Sequence, residues 1–410
     1  MSDHAAQPLC PNCLAGRMET FHTARRVPTN SCILLSTRDE ALAYPTGDIA
    51  LGFCRACGFV SNTAFDAKLT EYSGRYEETQ GFSPTFQRFH RDLADRVIAR
   101  FGLEGRDILE IGCGKGEFLL LLCEGGRNRG VGFDPGYRAD RFAPAAGEHV
   151  RFVADFYTEK CVDTAADFVC CKMTLEHIPA TLAFMRNVRA AQGDRPAEIF
   201  FMIPEAQRIL RDCAFEDVYY EHCSYFSPHS LEHLFRAAGF RPTAIGFEYA
   251  GQYLTIAADT GDTGDTSDAG GAPLTTAADL DELAAWVAKF PALFAAQLDW
   301  WRARFADLKA RGQTAVIWGS GSKGVSFLTS LGLHDEVAAA VDINPHRQGY
   351  FMPASGHRIV GPQDLVGLKP DVVIVMNPIY RDEIAADLAK LGLAPAILAV
   401  DDGLHAGGAQ

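Results

Sequence analysis

Apolar positions along the chain fall into two blocks in which helical and strand patterns alternate. The run FQRFHRDLADRVIARF, residues 86–101, repeats apolar residues every three or four positions and predicts an amphipathic helix. DILEIG, GVGFD, DFVCCK and EIFFMIP are short apolar runs bounded by turn residues, and each predicts a strand. A helix is expected over residues 277–311, kinked or broken at Pro291. A second strand series follows it: TAVIWG, VAAAVDIN, DVVIVMN and AILAVD. Alternation in two blocks predicts two parallel α/β sheets. Two stretches follow neither period. Residues 1–70 are turn-rich with paired cysteines, and DTGDTGDTSDAGGAP, residues 259–273, has no apolar face to bury and predicts a flexible linker or exposed loop. The expected division is therefore 1–70, 71–257, a linker at 258–276, and 277–410.

Composition narrows the classes. At 410 residues the chain exceeds one ordinary core, and 48% hydrophobic with 22% charged residues is globular material. A formal net charge of −14 disfavours nucleic acid and anionic lipid as partners, and obliges an anionic substrate to find a local basic pocket. No apolar run approaches the ~20 residues of a membrane span. MSDHAAQPLCPNC lacks a charged-then-apolar export pattern, so a cytoplasmic protein acting on a small molecule is expected. The oligomeric state is left open.

Of twelve cysteines, four form two CxxC pairs, Cys10/Cys13 in CPNC and Cys54/Cys57 in CRACG, forty residues apart. A CxxC turn points both sulfurs to one side, and two such turns complete a tetrahedral thiolate set for Zn²⁺. Four thiolates leave no open position, so this metal is expected to be structural. Cys113, Cys123, Cys170 and Cys171 lie in apolar or glycine-rich surroundings and read as reduced, packed thiols.

LEIGCGKGEFL carries Glu110, Gly112, Gly114 and Gly116 at alternate positions, between an apolar strand and a helical run. Its third glycine comes one residue earlier than in the dinucleotide fingerprint. The pattern resembles that of class I S-adenosylmethionine (SAM) methyltransferases and points to SAM rather than a nicotinamide cofactor. The resemblance implies that the glycines admit the methionine end of SAM, that Glu110 organises its ammonium group, and that Asp134 in GVGFDP accepts from the ribose hydroxyls. It further implies that Asp155 and Phe156 in FVADFY meet the adenine amine and ring. DFVCCKMTLEHI then brings Glu176 and His177 to the carboxyl edge of the sheet, where ligands of open α/β sheets bind.

The second loop, VIWGSGSKGVSF, does match GxGxxG through Gly319, Gly321 and Gly324, with Asp342 eighteen residues on. Three readings stand side by side: a dinucleotide site, glycines that permit close helix–strand packing, and a helix N-terminus that with Lys323 receives a substrate phosphate.

The order of zinc knuckles, SAM block, YYEHCSYFSPHSL and a second Rossmann-like block resembles the sugar C-methyltransferases, which act on nucleotide-linked keto-deoxysugars. The likeness runs from Cys10 to about residue 400. It implies an α/β fold in which a class I SAM methyltransferase Rossmann-like domain is flanked by a small N-terminal zinc-binding lobe and a C-terminal Rossmann-like α/β domain. It also implies that a Tyr-x-Glu-His motif reacts, here Tyr219, Glu221 and His222, and that Tyr76, with Gln80 near it, precedes the SAM domain at the site. The chemistry agrees. Carbon becomes nucleophilic once a proton beside a carbonyl is removed, and a histidine titrating near neutrality without burial is a suitable base. Glu221 is expected to orient or charge that imidazole, and Tyr219 or His177 to donate to the enolate oxygen. Which of His222, His177 and Tyr219 takes the proton stays open. Tyr220, Tyr225 and Phe226 are expected to pack. The competing readings are an O- or N-methyltransferase of the same architecture, a chain using NAD(P) at Gly319, a zinc-ribbon interaction protein, and an RNA methyltransferase; the acidic balance opposes the last.

Overall fold

A computed structural model describes residues 7–141, 149–161, 164–261 and 272–403. Residues 262–271, most of the predicted linker, lie outside the described residues. Residues just after them dock: the Leu274 amide and the Thr275 hydroxyl donate to Glu232.

Three sheets organise the chain. The central one has seven strands in the order Arg241–Glu248, Tyr253–Asp259, Glu198–Pro204, Phe168–Lys172, Asp107–Ile111, Arg129–Phe133 and Val150–Val153. All run parallel except Tyr253–Asp259, which is antiparallel to both neighbours. Its inner strands bear the expected apolar runs, buried on both faces as a parallel sheet requires. The helix Pro84–Phe101 starts where Ser83 accepts from the Phe86 amide and Pro84 takes the first turn, and it stops at Gly102 in the left-handed region. Phe86, His90, Leu93, Ala94 and Val97 form its buried face.

The C-terminal sheet is wholly parallel, ordered Ile359–Val360, Ala340–Val341, Ala315–Trp318, Val372–Val375, Ala396–Ala399. The helix before it, Ala277–Ala310, runs through Pro291 without a break, the second of the two outcomes expected there being excluded. An interior proline costs about 3 kcal/mol. Here fully buried Phe290, packed edge-on against Phe21 and His22 and tilted against Phe294, holds the helix on both sides of the proline. Farther along, Trp301 Nε1 donates to the Val400 carbonyl at 3.1 Å.

The first sheet is small and antiparallel: Met18–Pro28, Thr46–Cys54 and Val60–Asn62, closed by a strand from far along the chain, Ser224–Tyr225. Val60 faces Tyr225 and Ser61 faces Ser224. The Tyr-x-Glu-His segment thus enters the N-terminal sheet directly, across the division expected at residue 70. All twelve cysteines are free thiols. Among the described residues no helix is long and apolar enough to cross a membrane.

Candidate active site

The carboxyl ends of both parallel sheets open on one cavity of ≈ 470 Å³, within the usual size of small-molecule sites. Residues 111–115, 133–136, 172–174 and 176–178 line it from the central sheet, 318–319, 321–324 and 342–344 from the C-terminal sheet, and 76–80 from the segment entering the central domain.

The first glycine turn needs its glycines. Gly112, at φ 72°, lies so close to Thr174 that a Cβ would sit 1.9 Å from its Oγ1, and Gly116, at φ 92°, would put one 2.5 Å from Phe152. Gly112 and Gly114 line the cavity; Gly116 does not, and instead starts the helix Glu117–Gly126. Asp134 lines the cavity with its carboxylate held by the loop, accepting from the Gly114 amide at 2.9 Å and the Gly136 amide at 2.7 Å. Phe156, 53% exposed, presents its ring there, whereas Asp155 bonds its neighbour's amide and does not line the cavity. Glu110 lies behind the turn, not on the wall; burial pushes its carboxyl up to about 7, and its Oε2 has no partner among the described residues. A cradle without Cβ atoms, an acid at the next strand end and an aromatic ring opposite fit SAM. Gly112→Ala is expected to lose about 1–3 kcal/mol in stability and to weaken SAM binding at least tenfold by calorimetric titration.

Tyr76 and Gln80 both line the cavity. The Tyr76 carbonyl accepts from Lys115 Nζ at 2.9 Å, and Gln80 Oε1 accepts from the Tyr380 hydroxyl at 2.8 Å.

A turn at residues 220–221 sets Tyr219 and His222 side by side, with the tyrosine hydroxyl 2.9 Å from His222 Nε2. His177 meets His222 edge to face at 4.8 Å between centroids, and its Nδ1 lies 2.9 Å from the Tyr72 hydroxyl and 3.0 Å from the Glu221 carbonyl. Tyr219, His222 and His177 all line the cavity. Two expectations need correction. His222 is buried: desolvation, with His177 and Lys323 beside it, pulls its imidazole well below the ordinary histidine value. Burial likewise lowers His177 to about 4, so both rings are neutral at neutral pH. The Glu221 carboxylate, for its part, does not reach His222. Glu221 lies in the turn itself, and its side chain reaches the N-terminal lobe. There it accepts from Asn30 Nδ2 at 2.9 Å, the Ser31 amide at 3.2 Å and the Ser31 hydroxyl. Tyr220, Tyr225 and Phe226 are buried and pack.

Asn30, Ser31 and Tyr72 escaped the sequence reading. Polar residues ahead of a buried motif carry no signature of their own, and separations of 105 to 191 residues hide the pairing.

Gly319, Gly321, Lys323 and Gly324 also line the cavity. A Cβ on Gly324 would lie 2.3 Å from the Gly319 carbonyl oxygen, so close packing demands that glycine. Lys323 is not free: its Nζ pairs with Asp217, which Arg208 also grips, and lies 3.8 Å from Glu216. Asp342 accepts from the Ser320 amide and hydroxyl and the Asn344 amide, and Arg347 stands 3.5 Å away.

At the N-terminal lobe the cysteine pairs converge. Cys10 and Cys57 sulfurs are 3.7 Å apart, as are those of Cys13 and Cys54, and all four lie within 4.8 Å of one another. Tetrahedral Zn–S bonds of ≈ 2.3 Å place sulfurs roughly 3.8 Å apart, and the two 3.7 Å pairs match that spacing, so the residues present fit zinc.

The strand order, with one antiparallel strand inside a parallel sheet, and the glycine-turn cavity define a SAM-dependent methyltransferase. Residues 86–245 match the family described as a methyltransferase domain, and residues 276–395 the C-methyltransferase C-terminal domain. The chain is 27% identical over 367 residues to the C-methyltransferase NovU of Streptomyces niveus, covering 86% of this chain and 85% of that one. The chain is thus a SAM-dependent methyltransferase similar to that enzyme, with a C-terminal region similar to that of C-methyltransferases, and the resemblance in its motifs is borne out. Among solved structures, a SAM-dependent methyltransferase from Aquifex aeolicus aligns at 16% identity over 43% of this chain and 94% of its own, with a TM-score of 0.34. The 1,6-didemethyltoxoflavin-N1-methyltransferase of Burkholderia thailandensis aligns at 20% over 44% and 82%, also at 0.34.

Proposed function

We propose that this enzyme methylates a carbon beside the carbonyl of a nucleotide-linked keto-deoxysugar, with His222 as the base that generates the enolate. The observation that carries the reading is the neutral His222 imidazole on the wall of the cavity that both glycine turns share. A neutral imidazole accepts a proton; a charged one cannot. SAM, when bound at the first turn, supplies the electrophilic methyl group. Gly112, Gly114, Asp134, Phe156, Tyr76 and Gln80 are the residues we assign to holding it, with Glu110 and Gly116 shaping the turn from behind and Asp155 at its edge. Tyr219 and His177 stand beside the base, where a hydroxyl and an imidazole steady the enolate oxygen. Glu221 fixes the segment by its bonds to Asn30 and Ser31. The thiolates of Cys10, Cys13, Cys54 and Cys57 would hold a structural Zn²⁺.

The nucleotide part of the reading is supported by the helix Ser322–Leu331, whose N-terminus opens into the cavity with no acidic residue in its first turn. Free amides and the helix dipole there favour a phosphate, with Gly319, Gly321 and Gly324 letting it approach. Lys323 would have to exchange Asp217 for the phosphate. Lys323→Ala is therefore expected to weaken dTDP binding by about tenfold and leave SAM binding unchanged, the scale of one charge-assisted hydrogen bond.

Titration calorimetry with SAM, dTDP and NADH tests the whole. Binding of SAM and dTDP without NADH is expected, followed by SAM-dependent loss of a keto-sugar α-proton in deuterated solvent. Binding of NADH, or of SAM alone, overturns the nucleotide-sugar reading.

A further inference from the structure

Glu176 follows the strand Phe168–Lys172 and lines the cavity, yet it is 1% exposed and neither carboxylate oxygen has a hydrogen-bond partner among the described residues. A buried, unpartnered carboxyl costs several kcal/mol if it ionises and so is retained where it acts on something. Among the basic side chains near it, His222 makes an ion-pair approach: Glu176 Oε1 lies 3.9 Å from Nε2, the nitrogen that also meets Tyr219. His222 Nδ1 makes none of the described hydrogen bonds, which leaves it for the acceptor.

We propose that Glu176 is a positioning residue of the methyl transfer, whose carboxylate supplies the counter-charge that makes His222 basic enough to take the acceptor's proton. The inference rests on His222 being the base. In the step, the acceptor C–H bond breaks, its electron pair stays on carbon as the enolate, and the proton moves to Nδ1. The imidazolium then directs its Nε2–H toward Tyr219 and Glu176.

The surroundings leave this pairing in control. Cys171 and Cys223, and the hydroxyls of Tyr72 and Tyr219, face the pair, and burial raises all four, so they remain neutral. His177 is neutral as well. Glu221 is turned away onto Asn30 and Ser31. Two cations remain: Lys172, which acts on Glu176, and Lys323, which acts on His222 but is paired with Asp217. Burial pushes Glu176 up to about 8 while His222 is held well below its ordinary value. At neutral pH the pair therefore holds one proton, and its basic form appears as that proton leaves near pH 8.

The sign of the pH dependence follows. The rate rises with pH through about 8, because carboxylate plus neutral imidazole is the active form. In Glu176→Gln no carboxyl titrates. The rising limb moves to the acid side of the ordinary histidine value, near 6.5, and the plateau falls about 10²-fold because the imidazole is a weaker base. A side chain with a purely structural role would lower the rate with the limb unmoved.

The direct test needs no acceptor. Full-length protein labelled with ¹⁵N-histidine and saturated with S-adenosylhomocysteine is titrated by NMR, with the His222 signals assigned from His222→Gln. Wild type is expected to show a step near pH 8. That step vanishes in Glu176→Gln. Identical titrations in the two proteins overturn the proposal whatever the acceptor is. Should Glu176→Gln fail to bind S-adenosylhomocysteine, Glu176→Asp replaces it: withdrawing the carboxylate by one methylene shifts the step if the pairing is real, and an unshifted step overturns it. Failure of the keto-sugar reading would appear separately, as normal His222 titration with no turnover of that substrate class.

Discussion

His222→Ala is expected to reduce turnover by about 10²–10⁴-fold, the range for removing a general base, and to leave SAM affinity nearly unchanged. The separation follows from where the groups sit. On the proposed reading SAM is held by the turn at residues 112–114 and by Asp134, whose carboxylate is fixed by Gly114 and Gly136 amides rather than by His222. The lost imidazole leaves Tyr219 without its 2.9 Å neighbour and leaves Glu176 buried and alone, so a modest loss of stability is expected as well. Steady-state kinetics with calorimetric SAM titration checks this. An equal loss of turnover and SAM binding would assign the cluster to the fold instead of the chemistry. His222→Gln, which keeps the volume and some hydrogen bonding, should recover stability but not rate.

The second large effect is expected far from the cavity. Cys54→Ser should release zinc, measured by elemental analysis, and abolish both cooperative unfolding of the N-terminal lobe and methyl transfer. Structural zinc sites contribute about 10–16 kcal/mol in small peptides, comparable to or above the total stability of a domain. Cys54 ends a strand whose next partner is Val60, opposite Phe53, and Val60 in turn faces Tyr225. Two strand pairings therefore separate the cysteine cluster from the segment that bears His222. A second tie runs through Asn12 in the first knuckle, which donates to the Ser230 carbonyl at 3.0 Å and accepts from Thr181. Loss of the metal loosens both. An unchanged metal content in Cys54→Ser would dispose of the four-thiolate proposal, and full activity after chelation would cut the link to the active segment.

The two cases differ in how they could be read from the chain. The CxxC pairs and the glycine turns were legible because their meaning is local: a CxxC turn aims two sulfurs together, and a residue at φ 72° beside Thr174 must be glycine. Strand runs such as DFVCCK were legible because a strand buried on both faces is apolar throughout. The helix does not break at Pro291, because the local cost of about 3 kcal/mol is set against the aromatic packing of Phe290. His222 was picked out as a base on its ordinary titration, but its neutrality comes from burial, which no neighbour in sequence reveals.

By itself, then, the sequence determined the order and type of elements, the cysteine set and the glycine turn on the cavity wall, since each is a short-range demand on backbone angles or on residue chemistry. Tertiary structure decided the rest. It turned Glu221 away from His222 onto Asn30 and Ser31, brought Tyr72 to His177, paired Lys323 with Asp217, and set Glu176 behind the base. Those partners are side chains from separate elements, and only packing fixes which of them meet and which are dry.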